Sequence, residues 1–413
     1  MESKAQRRVS VLVNAVTAGR QAQTIHKVLV ANRGEIAVRI IKAARSLGMK
    51  TVAIFAAPDK DCLHVRTADE AVEVRDPDMK GAIAPYLNIK AVLQAAKETE
   101  AQAVVPGYGF LSENPDFAQC CEEEGLIFVG PPKEALVLFG DKSRSKELAT
   151  KCNVPVTKGC NDVPSAAFAK DFVISNNLRL PVVLKAKHGG GGRGMRVVRK
   201  LEELEESFTR CASEARTAFG NGDMLLEEYL EGARHIEVQV FGDSHGGLVH
   251  LYERDCSVQQ RHQKVIEFAP PRGICDELRA RLTTYALTLA RETNYRSAGT
   301  VEFLVAGNLA DAQATVAFLE MNPRIQVEHC VTEEACQVDL VKAQLQVACG
   351  MTLKEIGLEQ NSISLKKCAI QSRVTLAPGG GSQLDVYILP AGAVSFEQGN
   401  AIRVDGLGYP GLK

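Results

Sequence analysis

With 413 residues, 45% of them hydrophobic and 24% charged, the chain is long enough for two or three packed cores and has a globular composition. A net charge of −1 gives no global electrostatic reason to bind nucleic acid or an anionic membrane surface. No apolar run is long enough to cross a bilayer as a helix.

In the first 25 residues, Lys4, Arg7, Arg8 and Arg20 face one acid, Glu2, among small and hydroxyl residues. That is the composition of a mitochondrial transit peptide, the alternative being a disordered or short helical extension. The expected compartment is the cytoplasm, or the mitochondrial matrix if this leader targets the chain. The 12 cysteines are scattered from Cys62 to Cys368 without C-x-x-C spacing, which fits a reducing compartment. Cys256, inside the polar run Arg254-Asp255-Cys256-Ser257, reads as a packed thiol rather than a nucleophile.

Lys27–Ala31 reads as a strand, Gly34–Leu47 as a helix with Ile36, Ile40, Ala44 and Leu47 on one side, and Thr51–Ala56 as a second strand. Helices near Ile89–Thr99 and Pro115–Glu124, alternating with strands Ala103–Pro106 and Leu126–Gly130, continue the βαβ pattern. Residues 26–140 are thus expected to form a doubly wound α/β domain. The G-x-G-x-x-G fingerprint is missing, so a nicotinamide cofactor is disfavoured.

From 141 to 350 the pattern changes. Helices at Asp141–Cys152, Leu201–Phe219 and Leu278–Thr293 stand apart from strands at Pro181–Ala186, Met195–Arg199, Met224–Glu228, His235–Phe241, Leu248–Arg254, 299–306 and 314–322. This predicts an α+β domain, in which the glycine run between two strands reads as a flexible hairpin lid. Residues 365–413 read as part of a third, mostly β unit.

Three segments carry chemistry. In Lys185-Ala186-Lys187-His188 followed by Gly189, Gly190, Gly191 and Gly192, glycines between two strands allow backbone N–H groups to converge on phosphate oxygens. Lys142 and Lys185 each offer a point charge to the same phosphates. Glu302 and Glu320 lie on strands separated by a short hairpin, Gly307–Gln313, and can meet on one face as a Mg²⁺ site. In the segment Arg254–Ala269, His262 and Lys264 are two residues apart, and Lys264 with Arg324 would make an electropositive pocket for a small anion. If Leu319–His329 is extended, Glu320, Asn322, Arg324, Gln326 and Glu328 share one face. Their order is metal ligand, amide, anion clamp, amide and base. Pro323 within it fits a strand that leaves regular pairing.

Together these motifs resemble the biotin carboxylase component of biotin-dependent carboxylases, in the ATP-grasp superfamily. The resemblance runs from about Lys27 to the C-terminus through Ala31-Asn32-Arg33-Gly34-Glu35-Ile36-Ala37, Pro106-Gly107-Tyr108-Gly109-Phe110-Leu111-Ser112-Glu113-Asn114, Gly140-Asp141-Lys142, the glycine run, Arg254–Lys264 and Glu320–His329. It implies an N-terminal doubly wound domain, an ATP-grasp domain with a glycine-rich lid at about 157–230 and a partial C-terminal β-rich domain. Lys142, Lys185, the glycine run and His235 are then ATP-phosphate contacts. Glu227, Leu230, Gln259, His262 and Leu304 line the nucleotide pocket. Glu302, Glu320 and Asn322 hold Mg²⁺ or Mn²⁺. Lys264, Arg324, Gln326 and Val327 hold bicarbonate, Glu328 is the base, Arg373 steadies a biotin enolate, and Tyr108 lies on the biotin side.

The reaction so implied has bicarbonate, deprotonated by Glu328, attack the γ-phosphate of ATP. This gives carboxyphosphate and ADP. Carboxyphosphate breaks down to CO₂ and phosphate, the phosphate takes the proton from biotin N1′, and the biotin enolate, held on a separate carrier domain, captures the CO₂. Bicarbonate is a poor nucleophile and needs a base and a cationic cradle. Carboxyphosphate hydrolyses readily and needs water excluded. The chain has no Met-Lys-Met attachment site and no carboxyltransferase region, so carrier and carboxyltransferase domains or subunits are the implied partners, and homodimerisation is a family expectation. Pyruvate or acyl-CoA systems are favoured over urea systems.

The departures from the pattern are Lys187-His188 before the glycines, Val105 in place of a common His, Phe268 after Glu267, and Thr375–Gly381 after Arg373. The family continues well past Lys413, so the expectation is a chain covering only part of that unit. A non-catalytic ATP-binding or assembly subunit is the competing reading, and another ATP-grasp ligase, such as a carbamoyl-phosphate synthetase half, a more distant one.

Overall fold

Lys27–Val30 (β1), Gly34–Ser46 (α1) and Lys50–Phe55 (β2) open the computed structural model, which describes residues 24–76, 81, 83–187, 194–261, 263–374 and 402–406. Val28, Leu29 and Val30 are all fully buried, as a parallel strand covered on both faces must be. With Glu70–Glu73 (β3), Ala103–Val105 (β4) and Ile127–Phe128 (β5), they form a parallel sheet in the order β3-β2-β1-β4-β5. The order reverses between β1 and β4, which places a ligand crevice beyond their carboxyl ends. Asn32 bridges that crevice, its Nδ2 donating to the carbonyls of Pro106 and Tyr108, each at 2.7 Å. β3 escapes the sequence pattern because it is a polar edge strand, Glu-Ala-Val-Glu.

Lys142–Lys151 (α2) leads into a four-stranded antiparallel sheet. Its strands are Gly159–Val163 (β6), Val182–Ala186 (β7), Met195–Val198 (β8) and Met224–Glu228 (β9), in the order β6-β9-β7-β8. Leu204–Phe219 (α3) packs on it, and Leu204, Cys211, Val182, Leu184 and Leu226 share its core. Gly189, Gly190, Gly191 and Gly192 connect β7 to β8 in sequence and lie outside the described residues, as does His262.

The central sheet has six antiparallel strands: Arg234–Gly242 (β10), Leu248–Gln260 (β11), Gln263–Ala269 (β12), Ser297–Ala306 (β13), Thr315–Asn322 (β14) and Ala369–Ser372 (β15). They lie in the order β14-β13-β10-β11-β12-β15. Strand alternation divides its faces. Ile236, Val238, Val301 and Phe303 pack with Leu278, Leu282 and Leu289 of Asp276–Glu292 (α4). The intervening Glu237, Gln239, Thr300 and Glu302 are buried polar groups on the other face. Of the stretch expected as a third β unit, the described strand β15 instead extends this sheet by pairing with β12.

Regular extension through Leu319–His329 is not what the structure has. β14 ends at Asn322, residues 323–328 turn, and His329–Cys336 (α5) begins. Pro323 cannot donate to a ladder, and Thr300↔Asn322 is its last rung. One core cluster joins the parallel sheet to the central sheet: Ile36, Ile40 and Val105 share it with Phe241, Leu251, Ile325 and Leu340.

Candidate active site

The polar face of the central sheet converges on one ammonium. Lys264 on β12 places Nζ 2.5 Å from Glu237 Oε2, 2.8 Å from Glu302 Oε1 and 2.7 Å from Glu328 Oε1. Glu237 and Glu302 are cross-strand partners on β10 and β13, and Glu302 faces Glu320 on β14. A register shift immediately after the Glu302↔Glu320 rung sets where the ordinary ladder resumes. Glu328 lies in the turn after β14, at the N-cap of α5.

Each of these carboxylates has a cationic or amide donor. Glu302 Oε1 accepts from Asn322 Nδ2 and Gln326 Nε2, both at 2.9 Å, and His235 Nε2 lies 2.9 Å from its Oε2. Arg373 donates from Nη2 to Glu328 at 3.0 Å and from Nε to Glu267 at 2.7 Å. Lys142 Nζ is 2.5 Å from Glu320 Oε2. Arg324 donates to Asn322 Oδ1 at 3.1 Å and pairs with Glu113 at 3.3 Å, so it connects to Lys264 through Asn322 and Glu302.

Arg254 organises this face from below. Its fully buried guanidinium donates to Glu237 at 2.5 Å, Gln239 at 2.7 Å, Thr332 at 2.9 Å, Thr300 at 3.0 Å and Gln326 at 2.8 Å. A planar five-donor cation suits such a role and lysine does not. Neither Arg254 nor Glu237 was singled out by spacing. The run His235-x-Glu237-x-Gln239 in an otherwise apolar strand was the available signal for Glu237.

These pairings set the charge states. Burial favours neutral Glu328, but Lys264, Arg254 and Arg373 overcome it and hold the carboxyl down to about 2. Burial likewise opposes ionisation of Glu302, and Lys264 with His235 pulls it well below the usual range. Glu320 is lowered chiefly by Lys142. Burial would lower Lys264, yet Glu237, Glu302 and Glu328 raise it well above an ordinary lysine. Cys256 is buried, which pushes its thiol well above 9.0 and leaves it unreactive as a nucleophile near neutrality.

Glu302, Glu320 and Asn322 present hard oxygen donors on two paired strands, a set that fits Mg²⁺ or Mn²⁺. Cations of the protein itself, Lys142 on Glu320 and Lys264 with His235 on Glu302, already balance those carboxylates.

Of the remaining expected residues, Glu227 on β9 is buried against Lys185, whose Nζ lies 3.1 Å from its Oε2. Leu230 follows β9 and is half-buried; Leu304 on β13 pairs with His235. Gln259 pairs with Lys264 across β11 and β12 and donates to His235 Nδ1 at 3.0 Å. The Val327 carbonyl faces Gln371 Nε2 at 3.4 Å. Tyr108 stands at the β1/β4 crevice and packs on the shared core.

Glu227 and Glu328 are each held to about 2 against an ordinary 4.5. Stability drawn from a depressed carboxyl is fully present above its unfolded value and lost as pH falls through the folded one. Melting temperature is therefore expected to stay level near neutrality and to drop below about pH 5, followed by circular dichroism. Glu227→Gln should make that drop shallower; an unchanged slope would show that Glu227 carries none of it.

Residues 24–136 match the biotin carboxylase N-terminal domain, and residues 141–356 match the family described as the ATP-binding domain of the carbamoyl-phosphate synthase L chain. Mitochondrial pyruvate carboxylase of Homo sapiens is 48% identical over 85% of this chain, which spans 29% of that protein. The Aspergillus terreus pyruvate carboxylase is 45% identical over 92% of the chain, again about a third (31%) of the relative's length. Among solved structures, a Campylobacter jejuni biotin carboxylase–ATP complex superposes with TM-score 0.83 at 40% identity, covering 90% of this chain and 82% of that one. The biotin carboxylase domain dimer of Hydrogenobacter thermophilus 2-oxoglutarate carboxylase, solved with MgADP, ADP and bicarbonate, gives 0.79 at 43% identity, covering 85% and 75%. With both successive domains matched in order and close relatives aligned across most of its length, this chain belongs to the biotin carboxylase family of ATP-grasp proteins.

Proposed function

We propose that the chain carries out the first half-reaction of a biotin-dependent carboxylase, the ATP- and bicarbonate-dependent carboxylation of biotin on a carrier domain. The observation that supports this most strongly is the single contact set around Lys264. It ties a metal-type carboxylate, Glu302, to the base, Glu328, which Arg373 also holds. A site that only bound nucleotide would have no use for the second half of that arrangement.

In this reading Lys142, Lys185 and His235 take the ATP phosphates, with the glycine run covering them. Glu227, Leu230, Gln259, His262 and Leu304 shape the nucleotide pocket. Glu302, Glu320 and Asn322 would hold Mg²⁺ or Mn²⁺, which supplies charge neutralisation to the phosphates. Lys264, Arg324, Gln326 and the Val327 backbone receive bicarbonate. Its negative charge competes with Glu328 for Lys264, and each cation that turns to substrate raises the Glu328 carboxylate toward a useful base. Glu328 accepts the bicarbonate proton. Arg373, freed in turn, steadies negative charge on the biotin ring, with Tyr108 on the same side.

The partners in this reading are a biotin carboxyl carrier and a carboxyltransferase, with a second copy of the chain as a further candidate. Among the described residues no helix is long and apolar enough to cross a membrane. The basic leader that would direct the chain to the matrix lies outside them, and a cytoplasmic or matrix location is part of the proposal.

The test is ADP release by the purified protein with Mg²⁺. Release should require bicarbonate and rise on addition of free biotin. ADP release indifferent to both bicarbonate and biotin would sink the reading.

A further inference from the structure

The α2 helix carries a second lysine one turn after Lys142. Positions i and i+4 share a helix face, and the two ammoniums serve different carboxylates. Lys142 goes to Glu320, while Lys146 goes to Glu227. Lys146 and Glu227 are almost wholly buried, with side chains 7% and 4% exposed.

Around Glu227 the contacts form a closed set. Lys146 Nζ pairs with Oε1 and also donates to Thr157 Oγ1 at 3.1 Å. The Thr157 hydroxyl donates to Glu227 Oε2 at 2.8 Å. Lys185 reaches the same Oε2 at 3.1 Å and is the more exposed lysine, at 15%. One carboxylate thus faces two ammoniums, and the group carries a net positive charge. By contact and exposure Lys146, with Thr157, is the closer partner of Glu227 and Lys185 the farther and more exposed one, although burial and the neighbouring ammoniums lower the Lys146 pKa.

We propose that Lys146 is a positioning residue which keeps Glu227 neutralised so that Lys185 is available to the nucleotide's phosphates. This rests on the reading of Lys185 as a phosphate contact. Without Lys146, the ammonium of Lys185 becomes the sole charge partner of a buried carboxylate, and withdrawing it would leave that carboxylate unpaired at high cost. Phosphate binding must then compete with Glu227. Lys146→Met should nonetheless fold, because Lys185 and Thr157 remain on Glu227.

The experiment is calorimetric binding of the Mg²⁺ complex of adenylyl imidodiphosphate, and separately of adenosine, to the full chain. Lys146→Met should weaken the triphosphate analogue about tenfold, the scale of one charge-assisted hydrogen bond, and leave adenosine within about twofold. Lys146→Arg should recover most of the loss. In a Glu227→Gln background, where no buried carboxylate competes for Lys185, Lys146→Met should leave the triphosphate affinity within about twofold. Equal weakening of both ligands, or an undiminished loss from Lys146→Met in the Glu227→Gln background, overturns the proposal and makes Lys146 a pocket-shaping residue. If Lys185→Met alone leaves the triphosphate affinity unchanged, the phosphate role of Lys185 fails first and the proposal with it. Thr157→Val provides a second route: it removes the hydroxyl that helps Lys146 hold Glu227 and should produce a weaker shift in the same direction.

Discussion

Glu328→Gln is expected to lower bicarbonate-dependent ADP release by about 10²–10⁴-fold, the usual worth of a positioned general base, while nucleotide affinity changes little. The amide keeps the shape of the side chain at the start of α5. Lys264 retains Glu237 and Glu302, and Arg373 retains Glu267, so none of the cations is stranded. The loss therefore belongs to the proton transfer rather than to collapse of the site. The substrate-free geometry also explains why such a carboxylate would not act prematurely. Held at about 2 by Lys264, Arg254 and Arg373, it is ionised but too weak to take a proton from bicarbonate until Lys264 and Arg373 turn to substrate. Single-turnover ADP release with and without bicarbonate, alongside analogue binding, separates the two effects. A variant that retains bicarbonate-dependent turnover within a few-fold of the parent would remove Glu328 from the role of base.

In the first domain β1, β2, β4 and β5 and the helices at Gly34–Ser46, Ile89–Glu98 and Pro115–Glu123 were legible, because those strands are apolar runs and those helices each bury one stripe, whereas the polar edge strand β3 and the shorter helices were not. The carboxylate pair Glu302 and Glu320 was legible for a local reason, since a short hairpin joins the two strands that carry it. What could not be read falls into two classes. β6, with sequence Gly-Cys-Asn-Asp-Val, has little intrinsic strand preference and exists because β9 supplies a partner along its length. Arg254 draws its acceptors from β10, β13, α5 and the turn before it, positions up to 78 residues away in sequence, and no spacing rule reaches that far. The order of groups from Glu320 to Glu328 was a sound clue to chemistry, but the geometry behind it is a strand, a proline-led turn and a helix start rather than one extended edge. The turn lets Glu328 and Glu302 reach the same ammonium.

Lys264→Met carries the largest expected effect on stability. The ammonium is the common partner of three buried carboxylates, and removing it leaves Glu237 with Arg254, Glu302 with His235, Asn322 and Gln326, and Glu328 with Arg373. Each keeps a partner, yet together they lose the charge that offsets their mutual repulsion. Breaking a buried ionic set from one side costs about 3–5 kcal/mol, and this change should fall at that level near neutrality and abolish turnover. Lys264→Arg should not restore it, because a planar fork cannot replace a compact ammonium surrounded at 2.5–2.8 Å by three carboxylates. The electrostatic origin has its own signature in acid. In the parent, the depressed Glu302 and Glu328 carboxyls contribute stability that is present above 4.5 and lost as pH falls through their folded values. Without Lys264 that depression is smaller, so the variant has less to lose, and the stability gap between the two proteins should narrow as pH is lowered from about 7 to about 4. Urea unfolding at both pH values measures the gap directly. A gap that stays constant would mean that Lys264 stabilises the sheet by packing its four-carbon stem rather than by binding the three carboxylates together.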